Sequence, residues 1–522
     1  MSFISLSFLL FLGILIILYY ALPHKWQWVI LLIASYVFYL FAGVKYLAFI
    51  LFTTITTFLA IRFIDGRNKL QKEQLEKRKE MMSKEAKKAY KKQIKAQNRL
   101  VMIICIVLNF GILFFCKACL VEPLHTAFSS NATFSFLTIG LPMGMSFYMF
   151  QSIGYLIDVY RGKAEALTNP FKMALFTAFF PQLVQGPISQ FNELKDTLFS
   201  EHAFDRRQLA FGMQRMLWGF FKKLVIADRI AVAIGTLKGA EYTGISFFVL
   251  TVFYAVQIYG DFTGGIDIAI GAAETLGIKL PENFIRPFFS KNIAEYWRRW
   301  HITLNEWMKR YIFYPITVSQ PMLKLSLKTR SKLGKVGMRI PVYIGSLLTW
   351  LATGVWHGFN LHFIVWGLLN CFVIVVSEEL APLYKKFHDK FAFSNKRGYD
   401  VWQIIRMFLL MNLIRATDLF NDVGEYFTKL GSLAYQFNFN VLWDGTMMNL
   451  GLSVSDYIIL GCGVVLMFLV SLFGRSGSVR EKMEKWNIVL RYAVIIALLL
   501  VVVLFGSYGI GFDASKFIYN QF

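Results

Sequence analysis

Apolar runs of membrane-crossing length recur along the whole chain, separated by short polar or basic stretches. A helix needs about 20 mostly apolar residues to cross the hydrocarbon core of a bilayer. Runs near that length occupy residues 4–22, 26–41, 47–63, 101–120, 137–157, 245–259, 342–355, 363–376, 402–420, 457–472 and 492–505. Two further stretches, 173–187 and 209–230, are apolar but interrupted. The first contains Phe-Phe-Pro-Gln-Leu-Val-Gln-Gly-Pro-Ile over 179–188, whose two prolines and glycine cannot sustain a regular helix. Broken backbone at membrane depth is tolerated only where protein or a watery cavity satisfies it, so an interior cavity is expected there. The pattern predicts an all-α polytopic membrane protein with about 11–13 transmembrane helices plus re-entrant and interfacial ones.

Composition sharpens that picture. Hydrophobic residues make up 56% of the 522 and charged residues 17%, with 52 phenylalanines. A soluble protein of this length could not hide so much apolar surface, which excludes a soluble enzyme, a disordered chain and a secreted disulfide scaffold. One membrane domain over 1–522 is expected instead. Cys105, Cys116, Cys119, Cys371 and Cys462 follow neither a zinc-ligand spacing nor a disulfide framework, and no metal site is expected. The first apolar run lacks a basic leader and an A-x-A cleavage site, so it reads as a retained span.

Charge sets an orientation. Lys and Arg number 55 against 32 Asp and Glu, a net of +23. In a soluble protein such an excess would suggest nucleic acid; here it fits cytoplasmic loops, and no nucleic-acid partner is expected. The main charged segment, 64–100, carries thirteen Lys/Arg and five Asp/Glu between 65 and 99, and reads as a solvated helix near anionic lipid. Basic loops are expected at 324–339, 385–397 and 475–491. Placing all four in the cytoplasm puts both termini and the segment 417–456 outside a plasma membrane.

Ionisable groups inside apolar segments are costly and usually face the bundle interior. The segment Gly260-Asp261-Phe262-Thr263-Gly264-Gly265-Ile266-Asp267 reads either as a helix cap or turn or as an acid pair. Between Glu295 and Tyr311, a helix would align Trp297, Trp300, Leu304 and Trp307 on one face, beside a stripe of Arg298, His301 and Asn305. Such a helix could lie in the headgroup layer, or stand at a tunnel mouth with its arginines on the phosphates of an acyl carrier. His357, in Trp356-His357-Gly358, is either a hydrogen-bonded structural group or a base poised near neutral pH. No Gly-x-Ser-x-Gly elbow accompanies it, so a base acting on an acceptor hydroxyl fits better than a Ser-His triad.

Taken together these stretches resemble the membrane-bound O-acyltransferases, in the branch with the bacterial alginate O-acetyltransferase membrane subunit. The resemblance rests on Phe179–Pro187, Gly219-Phe-Phe-Lys-Lys-Leu-Val-Ile-Ala-Asp228, Asp261-Phe-Thr-Gly264, Pro281-Glu-Asn-Phe284, Trp297-Arg-Arg-Trp-His301, Trp356-His-Gly358 and Phe517-Ile-Tyr-Asn-Gln-Phe522. The branch's two histidines fall on His357 and His301. The chain departs from the branch at 316–320 and in its last four residues, so alginate itself is not inferred as acceptor.

The resemblance implies a ring of helices around a tunnel, with a catalytic core over 170–370. It implies a cytoplasmic thioester donor such as acetyl-CoA, no bound cofactor, and O-acetylation of an extracytoplasmic polysaccharide. His357 would be the general base, with His301 orienting the acceptor or sharing the proton. Arg298, Arg299, Trp297, Trp300, Asn305, Trp356, Asp261, Gln182 and Gln185 would bind substrates. Tyr519 would be either an aromatic interface anchor or a transient acyl acceptor. Expected partners are an extracytoplasmic acetyltransferase or small membrane subunit, membrane lipid, and the polysaccharide, directly or through that partner. Two alternatives stay open: D-alanyl transfer to teichoic acid from a carrier protein, and a transporter without covalent chemistry. For the latter, inverted repeats would be expected, and the sequence shows none.

Overall fold

The structure, a computed structural model, describes residues 1–78, 81–120, 126, 140–239 and 242–508. Tyr519 and the terminal motif lie outside the described residues. Among these, the regular elements are helices, and the one β-type contact is an isolated antiparallel bridge between Phe284 and Trp300. Among the described residues, six helices are long and apolar enough to cross a membrane: Val44–Lys77, Lys84–Ala118, Ile245–Thr275, Leu361–Glu379, Val454–Ser476 and Ile488–Phe505. The chain is an all-α, multi-pass membrane protein.

Its helices fall into two compact units, Met1–Gly212 with Ala272–Pro281, and Met213–Gly271 with the chain from Glu282 on. In the first unit, Ser5 and Ser83 cap the Leu6–Ala21 and Lys84–Ala118 helices by accepting the N–H groups of Phe8 and Ala86. The charged segment expected as one solvated helix is two. The Leu47–Lys77 helix carries its first half outward, and Lys84–Ala118 carries its second half back. Lysine is a good helix former, so polarity alone does not end either helix.

The stretch 179–188 breaks as expected. Pro170–Ala178 stops, one short turn follows at Phe180–Leu183, and the chain continues irregularly. Side-chain amides satisfy its carbonyls: Gln151 donates to Phe176 O at 3.0 Å, and Gln182 to Pro187 O at 2.8 Å. Gly186 lies so close to Gln182 that a Cβ would stand 2.3 Å from its Cα, so only glycine fits.

The second unit corrects three expectations. The basic stretch 324–339 is helical rather than a loop. It is the first half of Gln320–His357, broken only at Gly334, where φ is +57°, and carrying Pro341. The segment 260–267 is neither a cap nor a turn but the middle of Ile245–Thr275. Its glycines serve helix crossing: a Cβ on Gly264 would lie 2.9 Å from Gly219 O, and one on Gly260 2.9 Å from Lys222 O. Third, 295–311 is not one amphipathic helix. Ile293–Arg299 stops, Trp300 pairs with Phe284, His301 turns left-handed at φ +46°, and Ile302–Met308 begins a new helix.

Candidate active site

That break is built by a short antiparallel contact. Ile285 N–H donates to Arg299 O and Ile302 N–H to Asn283 O, both at 3.0 Å, gripping the chain on either side of His301. Asn305 secures the break from the other side. Its side-chain amide reaches Trp297 O at 2.8 Å, Trp300 O at 2.6 Å and His301 O at 3.1 Å. The Trp297 and Trp300 carbonyls lie at the interruption, where helix ends leave acceptors over, while His301 O also accepts the Asn305 backbone N–H at 3.2 Å. The sequence reading put Asn305 on substrate; its amide is committed to backbone.

Asn283 also fixes the imidazole. Its Oδ1 accepts the Thr303 N–H at 3.1 Å and the Thr303 hydroxyl at 3.0 Å, and lies 3.2 Å from His301 Nδ1. A backbone N–H can only donate, so the Asn283 atom facing Thr303 is oxygen, and His301 Nδ1 must carry the hydrogen. Nε2 is therefore the ring nitrogen with the lone pair. Burial, and after it the Arg415 positive charge, push this imidazole down from 6.5 to about 3, so it is neutral.

Aromatic rings frame both histidines. Phe262 meets His301 edge-on at 4.9 Å. The Trp356 indole neighbours both imidazoles, 6.4 Å from His301 and 4.7 Å from His357. His357 is the last residue of its helix and is buried, with Trp366 edge-on at 4.9 Å and Phe363 stacked at 5.9 Å. Gly358 is required beside it, because a Cβ there would sit 2.7 Å from the Phe363 ring. Trp297 and Trp300 do not share a face. Trp297 packs on Trp350 at 4.8 Å and donates to Asn370 Oδ1 at 3.2 Å, while Trp300 stacks on Tyr296 at 5.8 Å.

The remaining expected residues divide. Arg299 is tied to Glu295 at 2.5 Å, and Arg298 is exposed. Asp261 is buried and paired with Lys223, which also reaches Asp228 at 2.8 Å. Lys222 and Lys223 are consecutive and both buried because the π-helical turn Phe221–Ala227 carries them. In the first unit Gln182 holds backbone, and Gln185 is fully buried with no hydrogen-bond partner for its amide among the described residues. Asn283 and Arg415 were missed. Asn283 lay in the Pro-Glu-Asn-Phe motif; Arg415, whose guanidinium lies 3.9 Å from the Trp300 ring, lay in an apolar run with only its charge as a signal.

Comparison with known proteins defines the class. Residues 163–416, which contain both histidines, match the model of the membrane-bound O-acyltransferase family, and the chain belongs to that family. It is 33% identical over 373 residues to the "Probable alginate O-acetylase AlgI" of Azotobacter vinelandii, covering 69% of this chain and 64% of that protein. It is 32% identical over 387 residues to the protein of that name in Pseudomonas putida, covering 71% and 69%. To the "Peptidoglycan O-acetyltransferase" of Helicobacter pylori it is 30% identical over 412 residues, covering 72% and 69%. The chain thus spans a little under two thirds of the first of these relatives.

Proposed function

We propose that the protein is an O-acyltransferase that moves an acetyl group from a cytoplasmic thioester toward an extracytoplasmic polysaccharide. The observation that carries this reading is the pair of buried imidazoles on one indole, one of them held in a defined tautomer. The O-acetyl relatives support the acyl group and the polysaccharide class of acceptor. Excess Lys and Arg in the basic segments support a cytoplasmic donor side.

In this mechanism His357 takes the proton of an acceptor hydroxyl as its oxygen attacks the thioester carbonyl. The carbon–sulfur bond breaks, and the imidazolium returns its proton to the departing thiolate. His301, neutral and hydrogen-bonded through Nδ1, orients the acceptor through Nε2. The acceptor is the polysaccharide or a group on an extracytoplasmic partner that completes the transfer.

The test is transfer of labelled acetyl from acetyl-CoA by the protein in liposomes. General-base catalysis contributes about 10²–10⁴-fold, so His357→Ala should lose that much while still inserting and folding. A folded His357→Ala protein with wild-type transfer would overturn the assignment. Transfer only from an alanyl-carrier protein would replace acetyl with D-alanyl.

A further inference from the structure

The two helices that carry the charged segment, Leu47–Lys77 and Lys84–Ala118, run against each other in antiparallel register. Asn98 donates to Asn68 Oδ1 at 2.8 Å, Arg67 donates to Gln97 Oε1, and the Tyr90 hydroxyl reaches Gln74 Oε1 at 3.4 Å. Continued the other way, that register sets Ile64 level with Val101. At these residues each helix passes from apolar to charged sequence, so both leave the hydrocarbon core at one level. What lies beyond is a braced two-helix arm.

One face of the arm is cationic. Lys84, Lys88, Lys91 and Lys95 fall at i, i+4, i+7 and i+11, flanked by Lys92 and Arg99, so the six share one stripe of the helix. All six are exposed. Among the described residues none of them is paired with a carboxylate. Asp65 and Glu73 of the neighbouring helix are engaged within it: Asp65 holds Arg62 at 3.3 Å and Lys69 at 2.7 Å, and Glu73 holds Lys77 at 2.6 Å. Glu85 is the single acid of the stripe's own helix. Like charges one turn apart repel, a cost that an acidic partner removes.

Height along the helix decides what that partner is. At about 1.5 Å of rise per residue, Lys84 stands about 24 Å beyond Leu100, Lys88 about 18 Å and Lys91 about 14 Å. Headgroups fill about 5–8 Å outside the hydrocarbon core, and charges are screened within about 8–10 Å of them. Arg99 and Lys95 therefore belong to the headgroup layer, Lys91 and Lys92 to its edge, and Lys84 and Lys88 to the aqueous solution. A lipid surface cannot satisfy such a stripe from end to end; a macromolecule lying along the arm can. Five of the six cations are lysines rather than the arginines whose forks match phosphate, and Tyr90 bonds the neighbouring helix instead of offering a stacking face. Carboxylates one helical turn apart match ammonium groups of the same pitch.

We infer that the arm docks an acidic protein, which lays a helix bearing a row of Asp and Glu along Lys84, Lys88, Lys91 and Lys92. The docking side is the one that the Lys and Arg excess supports as cytoplasmic. The inference does not rest on the acyl-transfer reading.

The experiment is equilibrium binding to the full chain in nanodiscs. One probe is a helical peptide whose glutamates recur every three or four residues on one face. Its control has the same composition with the glutamates spread round the helix, and a third probe is duplex RNA of equal charge. In phosphatidylcholine the one-faced peptide should bind at least about tenfold more tightly than the control, and added salt should weaken it. Lys84→Gln/Lys88→Gln/Lys91→Gln/Lys92→Gln changes only exposed side chains, so the fold should persist while that preference disappears. Phosphatidylglycerol in the nanodisc should leave the preference in place. Equal binding of the two peptides, tighter binding of RNA, wild-type preference in the quadruple variant, or loss of preference in phosphatidylglycerol would each overturn the inference. In cells, a photo-crosslinking residue in place of Glu85 keeps all six cations and should join the chain to an acidic helix of another protein, mapped by mass spectrometry. Adducts with lipid alone would count against the docked protein and decide for the membrane surface.

Discussion

Asn283 Oδ1 stands 3.2 Å from His301 Nδ1 and accepts two further hydrogen bonds from Thr303, so one side-chain oxygen sets both the tautomer and the left-handed turn of the histidine. Replacing it with alanine removes the acceptor shared by the Thr303 N–H, the Thr303 hydroxyl and the ring N–H. A buried donor left unsatisfied costs about 1–3 kcal/mol. Asn283→Ala should therefore lower thermal stability in detergent and, if its loss weighs as that of a group orienting a metal-bound histidine does, reduce kcat by about 10–100-fold. A kcat equal to wild type would show that the tautomer does not matter.

The depressed His301 titration gives a pH prediction with a definite sign. In the folded chain the imidazole titrates at about 3, against 6.5 when solvated. The unfolded chain therefore binds a proton that the folded chain refuses. Stability should fall as pH drops below about 6.5, and continue falling toward about 3. His301→Gln, which carries no titrating group, should lack that share of the acid sensitivity. Melting temperatures of both proteins between pH 4 and pH 8 check this. For the same reason His301 should contribute no limb to the pH–rate profile above pH 5.

The helical membrane class was legible because apolar runs of spanning length need no side-chain detail to be read. The fracture at 179–188 was legible too, since proline and glycine act locally on the backbone. The break at His301 was not. Trp297, Trp300, Leu304 and Trp307 keep helical spacing, and nothing in that period shows that Asn283, eighteen positions earlier, would pair with the chain and turn it. The role of Gly260 and Gly264 was hidden similarly. A glycine between acids looks like a turn until the helix that crosses it is known. The helix over 324–339 is hidden because charge reports solvation and not backbone conformation, and lysine-rich sequence continues a helix into water without penalty.

Lys223 and Asp261 form a buried pair, with Asp228 as a second carboxylate on the same ammonium. Breaking such a pair from one side typically costs about 3–5 kcal/mol, because it leaves a charge buried without its partner. Lys223→Met should therefore be strongly destabilising, as should Asp261→Leu. The double variant Lys223→Met/Asp261→Leu should recover part of the loss, although Asp228 would still lack its cation. A thermodynamic cycle on purified protein measures the coupling. Additive losses would mean that the two side chains do not act as a pair.

Arg415 acts on the histidine at one remove. Its guanidinium lies 3.9 Å from the Trp300 ring, and it donates to the Tyr296 hydroxyl at 2.8 Å, clamping the residue that precedes His301. A buried cation–π contact is worth about 2 kcal/mol, and its planar stacking is specific to arginine. Its charge is also the second cause of the low His301 titration. Two substitutions separate these roles. Arg415→Leu removes both the clamp and the charge, so it should lower kcat by about tenfold and let the His301 titration rise. Arg415→Lys keeps the charge but loses the planar stack and the fork, so it should lower kcat comparably while leaving the acid sensitivity of stability near wild type. If the lysine variant had wild-type kcat, charge alone would be what Arg415 supplies. If the leucine variant had the acid sensitivity of wild type, its charge would not reach the imidazole, and burial alone would keep His301 neutral.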